Sequence, residues 1–195
     1  MYGIMYLSIA GFLNQQVLTE QELIKGCIRN DSTSQRMLFE LFAGGMMTIC
    51  LRYARNRQEA EDILQEAFIR AFKYIHQFRH KGSLEGWMKC IAVNCALRLL
   101  QRNPFHFEEI REENSTKAFV DPEVLSNLNE EDLLKLISQL PDGYRMVFNL
   151  FVMEGYNHDE IAQLLRIKPA TSRSQLSKAR KLLQENINNI QLIRK

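Results

Sequence analysis

The chain has 195 residues, 46% of them hydrophobic and 25% charged, with a formal net charge of +2. That composition excludes a disordered, collagen-like or membrane-spanning protein and leaves a soluble fold with one sizeable core or two small ones. The near-neutral total conceals three blocks: a net +4 over residues 1–103, −7 over residues 104–132 and +5 over residues 133–195. Local field, more than net charge, sets the encounter with a polyanion, so two basic blocks joined by an acidic connector point to two nucleic-acid-facing modules.

The opening MYGIMYLSIAGFL is apolar, but it has no basic leading stretch and no small-residue cleavage site. Residues 1–18 therefore read as an N-terminal extension and not as a signal peptide or a membrane anchor. Cys27, Cys50, Cys90 and Cys95 form neither a CxxC pair nor a ladder of the kind small secreted domains use, which predicts reduced thiols in a cytoplasmic protein.

Apolar residues recur at helical spacing along the chain and no segment alternates as a strand does, so the expected fold class is all-α. Thr19 with Glu22, and Ser32 with Gln35, are capping-box patterns that start helices near residues 20 and 33. The second of these should turn Leu38, Leu41, Phe42, Ile49 and Tyr53 inward and kink at Gly44-Gly45. A third helix over residues 58–77 would bury Ala60, Ile63, Ala67, Ala71 and Ile75, and a fourth over residues 84–102 includes Trp87, Ile91 and Leu99. Pro104, Pro122 and the run EEIREEN mark residues 104–129 as an acidic linker between a domain at 19–103 and one at 130–195. Periodicity resumes at Leu133, pauses at Pro141-Asp142-Gly143 and ends at Gly155.

From Asn157 onward the pattern sharpens into a helix-turn-helix inside a four-helix second domain. Asn157 and Glu160 form a capping box; Ile161, Ala162, Leu164 and Leu165 make a buried face. Arg166-Ile167-Lys168 is a tight turn, and Pro169 occupies the first helical turn, where a missing amide hydrogen costs least. Leu176, Ala179, Leu182 and Leu183 should face the core, leaving Thr171, Ser172, Arg173, Gln175, Lys178 and Lys181, with Lys168 at the turn, to meet DNA. A basic, hydroxyl-rich second helix suits a major groove. A solvated helix end would explain the charge alone, but not its coincidence with the turn and the small residue Ala162.

Upstream lie EDILQEAFIRA (61–71), Phe78-Arg79 and GWMKCIAVN (86–94); downstream come LPDGYRMVFNLFVMEGYNHDEIAQLL and SRSQLSKAR. In this order and spacing, residues 20–190 closely resemble the extracytoplasmic-function (ECF) group of the sigma-70 family of bacterial RNA polymerase sigma factors. The resemblance implies that the helix carrying Asp62, Gln65, Glu66 and Ile69 docks on core RNA polymerase. It also implies that the first domain opens the −10 promoter element, with Asn94 at the family's base-contacting asparagine and Arg70 at a basic position near it; Arg79, Lys81, Lys89 and Arg98 supply further cationic pieces of such a path. Captured single-strand bases need such a path. Trp87 and Phe78 read as core rather than as stacking platforms. The second domain would bind the −35 element, and an anti-sigma factor, often membrane-anchored in the family, is the implied regulator. No cofactor, metal or catalytic set is expected, since nucleotide addition belongs to the polymerase.

The chain departs from the family at two places: Arg166 stands where glycine is usual and Lys168 where a small cap is usual. Arg166 is therefore expected in a backbone conformation that glycine adopts more easily. Two other readings fit less well. A response-regulator type of factor would need alternating strands and helices ahead of the helix-turn-helix. A metal enzyme would need His76, His80, Cys90 and Cys95 at ligand spacing, which a break between the histidines and the five-residue step between the cysteines do not give.

Overall fold

The computed structural model describes residues 18–102 and 130–193, which fold into helices with no strand among them. In chain order these are α1 (Glu20–Ile28), α2 (Ser32–Tyr53), α3 (Arg57–Tyr74), α4 (Leu84–Arg102), α5 (Glu130–Ser138), α6 (Asp142–Phe148), α7 (His158–Leu165) and α8 (Pro169–Ile193). A 3-10 turn over Ile75–Gln77 closes α3, and a π turn over Asn149–Met153 extends α6. The extension at residues 1–17 and the linker at 103–129 lie outside the described residues.

Local chemistry sets the boundaries. At α1 the Thr19 side chain accepts from the Glu22 amide and the Glu22 carboxylate accepts from the Thr19 amide at 2.8 Å, completing the expected box. The second start differs from expectation: Asp31 caps α2, accepting from the Ser34 amide at 2.8 Å. Gly26 permits the tight α1–α2 corner, because a Cβ there would lie 2.0 Å from the Ser34 hydroxyl. Asn56 caps α3 by accepting from the Glu59 amide at 2.9 Å.

Helices α2, α3 and α4 pack mutually and α1 lies on α2. Small residues bring their axes together: Ala60, Ala67 and Ala71 of α3 and Ala92 and Ala96 of α4 are all fully buried beside Leu38, Ile49, Tyr53, Ile63 and Met88. One expectation needs correction: Leu41 is 45% exposed, because it turns away from the stripe of Leu38, Ile49 and Tyr53. The α2 helix is continuous through Gly44-Gly45. In α4, Trp87, Ile91 and Leu99 are half-buried against a core whose α4 positions belong to Met88, Ala92, Val93 and Ala96.

In the second half, Leu136, Ile137, Leu140, Ala179, Leu183 and Ile187 join α5 to α8 in one apolar cluster. Met146, Val147 and Leu150 from the α6 region, with Ile161, Leu165 and Leu176, belong to the same cluster as the first bundle. The two bundles are thus in contact, with α5 and α6 against α2. The meeting point is chemically defined. A helix leaves its last carbonyls without intrahelical partners, and at the end of α2 the Arg145 Nε donates to the Tyr53 carbonyl at 2.9 Å while the Asn149 amide donates to the Arg52 carbonyl at 2.7 Å.

Candidate nucleic-acid interface

The helix-turn-helix is built from its caps inward. The Asn157 side chain accepts from the Asp159 and Glu160 amides, both at 2.9 Å, and Glu160 accepts from the Asn157 amide at 2.8 Å. Ile161, Ala162 and Leu165 of α7 are buried. Arg166 then ends the helix at φ 55° and ψ 45°, in the left-handed region that the sequence demands of a residue at a glycine position. Its amide and that of Ile167 both return to the Ala162 carbonyl, so the turn stays tight without glycine.

Helix α8 starts at Pro169, and its first turn is pinned to α7 by the Ser172 hydroxyl, 2.9 Å from Nδ1 of His158. The His158 ring stacks on Phe151 at 4.6 Å, and the Arg180 guanidinium lies over the other ring at 5.9 Å from its centroid. Burial, and then the charges of Arg173 and Arg180, hold the His158 imidazole below its ordinary value.

Of the seven residues expected to meet a −35 element, Lys168, Arg173 and Lys181 are exposed, and Thr171 and Lys178 are half-buried. Ser172 and Gln175 are not on that face: they are buried at 0% and 2% exposure. The reason is helical period. Ser172 precedes Leu176 by four residues and Ala179 by seven, which places it in the inward stripe, and Gln175 precedes Ala179 by four. The same count turns Ser174 and Ser177, missed in the sequence, toward the side of Lys178 and Lys181, where both are half-buried. Reading polarity instead of period is what placed Ser172 and Gln175 outward.

In the first bundle Arg79, Lys81, Lys89, Asn94 and Arg98 are exposed. Lys89 is tied to Glu85 at 2.6 Å. Arg70 is half-buried and paired with Glu66 at 2.5 Å, so a residue assigned to DNA and one assigned to the polymerase share an ion pair. Burial holds the Cys95 thiol above its ordinary value, partly offset by the charges of Arg70 and Arg98. Phe78 and Trp87 pack ring to ring at 5.7 Å, half-buried against the core. Along α3, Asp62, Gln65 and Ile69 form an exposed strip with Glu66 at its edge, and Ile69 is 55% exposed, an apolar side chain left to solvent.

A helix-turn-helix with a cationic second helix, joined to a helical bundle with a cationic face of its own, defines a two-module DNA-binding transcription protein. Comparison with known proteins narrows the class. Residues 38–104 match Sigma-70 region 2 and residues 130–183 match Sigma-70, region 4. The chain is 27% identical to the ECF RNA polymerase sigma-E factor of Haemophilus influenzae, over 87% of this chain and 96% of that one. It is 26% identical to the RNA polymerase sigma-H factor of Pseudomonas aeruginosa, over 85% and 92%, and 26% identical to the ECF RNA polymerase sigma-E factor of Escherichia coli K12, over 87% and 95%. Among solved structures, the sigma factor RpoE in complex with the anti-sigma factor NepR from Bartonella quintana aligns at TM-score 0.45 and 20% identity, over 77% of this chain and 94% of that one. The chain belongs to the sigma-70 family, in its ECF group, and is a promoter-specificity factor for the initiation of transcription. No helix among the described residues is long and apolar enough to cross a membrane.

Proposed function

We propose that residues 19–103 hold core RNA polymerase and open the −10 element while residues 130–195 place α8 in the major groove of the −35 element. The observation that carries this reading is the exposure of Lys168, Arg173 and Lys181 along a helix-turn-helix whose companion bundle presents Asn94, Arg98, Arg79 and Lys81 to solvent. Arg173, Lys178 and Lys181 supply phosphate and base-edge contacts, and Thr171, Ser174 and Ser177 supply hydroxyls; Ser172 and Gln175 hold the helix from within. Lys89 reaches DNA by leaving Glu85, and Arg70 supports the same path from beside Glu66.

Asp62, Gln65, Glu66 and Ile69 form the polymerase-docking strip, where an exposed isoleucine flanked by acids suits a basic coiled coil with an apolar seam. Chemistry stays with the polymerase, and the place of action is the cytoplasm, where polymerase and promoter are found. Family resemblance adds an anti-sigma protein that masks these surfaces. Run-off transcription tests the assignment. Adding the chain to core polymerase should make transcription promoter-dependent, and Asp62→Lys with Glu66→Lys should abolish both that activity and co-purification with core. Undiminished co-purification of the double variant removes the strip from the docking surface.

A further inference from the structure

His158 stands where the two helices of the helix-turn-helix meet. It is the first residue of α7, and its Nδ1 lies 2.9 Å from the Oγ of Ser172, which is fully buried in the first turn of α8. The imidazole stacks on the Phe151 ring, and the Arg180 guanidinium sits over that same ring. The elements most closely packed on α7 are α8 and the π turn. From α8 the charges that face the imidazole are Arg173 and Arg180, and from α7 itself it is Asp159. The π turn, Asn149–Met153, brings no titratable side chain. Two cations thus outweigh one carboxylate around a group whose ordinary titration lies close to neutral pH.

We propose that His158 is a positioning residue for −35 recognition that takes up a proton from solution when α8 seats on DNA, so that the −35 element is held more tightly in mildly acidic solution. This rests on the reading of α8 as the −35 helix. In the free chain a proton on the imidazole is disfavoured by burial and by the like charges of Arg173 and Arg180. Arg173 is exposed at the start of α8, close to the turn that carries Lys168. Phosphate oxygens brought to this end of the helix neutralise Arg173 and remove a repulsion that kept the imidazole neutral. Binding and protonation then favour each other by the same factor, because linkage is reciprocal. The gain in affinity is full at pH values below the pKa of the free chain and absent above that of the complex.

The contacts around the ring serve both charge states. The Ser172 hydroxyl donates to a neutral Nδ1 and accepts from a protonated one, so the pin between α7 and α8 survives the proton. The face of Phe151 suits a cation as well as a neutral ring. His158 therefore adds charge to the helix-turn-helix without releasing the helix it holds.

Holoenzyme reconstituted with core polymerase tests this on a duplex that spans the −35 region, without the −10 region, of a promoter it transcribes. The reference is the same duplex with its −35 bases scrambled. From about pH 7.5 to about pH 5.5, at fixed ionic strength, wild-type affinity for the promoter duplex should rise about three- to tenfold, since one unit of pKa difference between free and bound forms is worth tenfold. H158Q holoenzyme, whose glutamine amide meets the Ser172 hydroxyl but takes no proton, should vary by less than about twofold over the same range on the same core. Calorimetry in two buffers of different ionisation heat should show proton uptake on binding by the wild type and none by H158Q. Circular dichroism identifies a variant that has unfolded, in which case H158N replaces it. A flat wild-type profile on a duplex still preferred to the scrambled one, or a folded variant that keeps the wild-type profile, would overturn the proposal alone. Equal affinity for the two duplexes at every pH would instead remove the −35 reading, and this proposal with it.

Discussion

Arg166 shows how much one side chain reveals. A left-handed residue other than glycine costs on the order of 1–2 kcal/mol and more when it is β-branched. Arg166→Val should therefore lower the unfolding free energy by about 1 to 2 kcal/mol in urea, whereas Arg166→Gly should change it by less than about 1 kcal/mol, because strain relief is offset by the entropy of a freer unfolded chain. The turn was legible because its cause is local: a helix ending at Leu165 and restarting at Pro169 leaves one position that must reverse the backbone. Ser172 and Gln175 were equally legible, by counting back from Leu176 and Ala179, and were misread because polar residues were taken as outward. His158 carries a second residue-scale consequence. Its imidazole is held below the ordinary value of 6.5, so the unfolded chain binds that proton more readily and stability is lost as pH falls below 6.5, with no contribution above it. A urea-denaturation series from pH 7.5 to 5 should show this slope in the wild type and a shallower one in His158→Gln.

At the scale of elements, α8 divides its length between two tasks. One stripe, Ser172, Leu176, Ala179 and Leu183, locks it into its bundle, and the opposite side leaves Lys181 and Arg173 to an anion. If four to six phosphates are neutralised, binding to a −35 duplex should weaken with salt at a log-log slope of about −3.6 to −5.4. Lys181→Ala should lower the magnitude of that slope by about 0.9, while Ser172→Ala should change stability and leave the slope unaltered. A slope that ignores Lys181 would show that the groove-facing side of α8 lies elsewhere. The helices themselves were readable because caps and period are short-range signals: Thr19 and Asn157 each accept from the amide three residues on. What period could not resolve was the strength of half-buried positions such as Trp87 and Ile91, which depends on what α4 meets and not on α4 alone.

Taken as a whole molecule, the chain places the two surfaces proposed to meet DNA on bundles that share an apolar cluster through Met146, Val147 and Leu150. That contact was invisible in the sequence. Its polar partners are 87 to 102 residues apart, and nothing in the local pattern of Arg52, Arg55, Asp142 or Glu154 distinguishes them from solvated charges. The division of labour proposed for the bundles, by contrast, rests on motifs that occur in order along the sequence, and it separates the effects of mutation. Changes in α8 should cost upstream contact, and changes on α4 should cost strand opening. Footprinting a promoter with reconstituted holoenzyme tests this directly. With the wild-type chain, protection should cover both the −35 and the −10 regions, with permanganate-reactive thymines at −10. Arg173→Ala with Lys181→Ala should lose the −35 protection, and Asn94→Ala with Arg98→Ala should lose permanganate reactivity while keeping the −35 protection. If both double variants weaken the two regions alike, the assignment of one element to each bundle is contradicted.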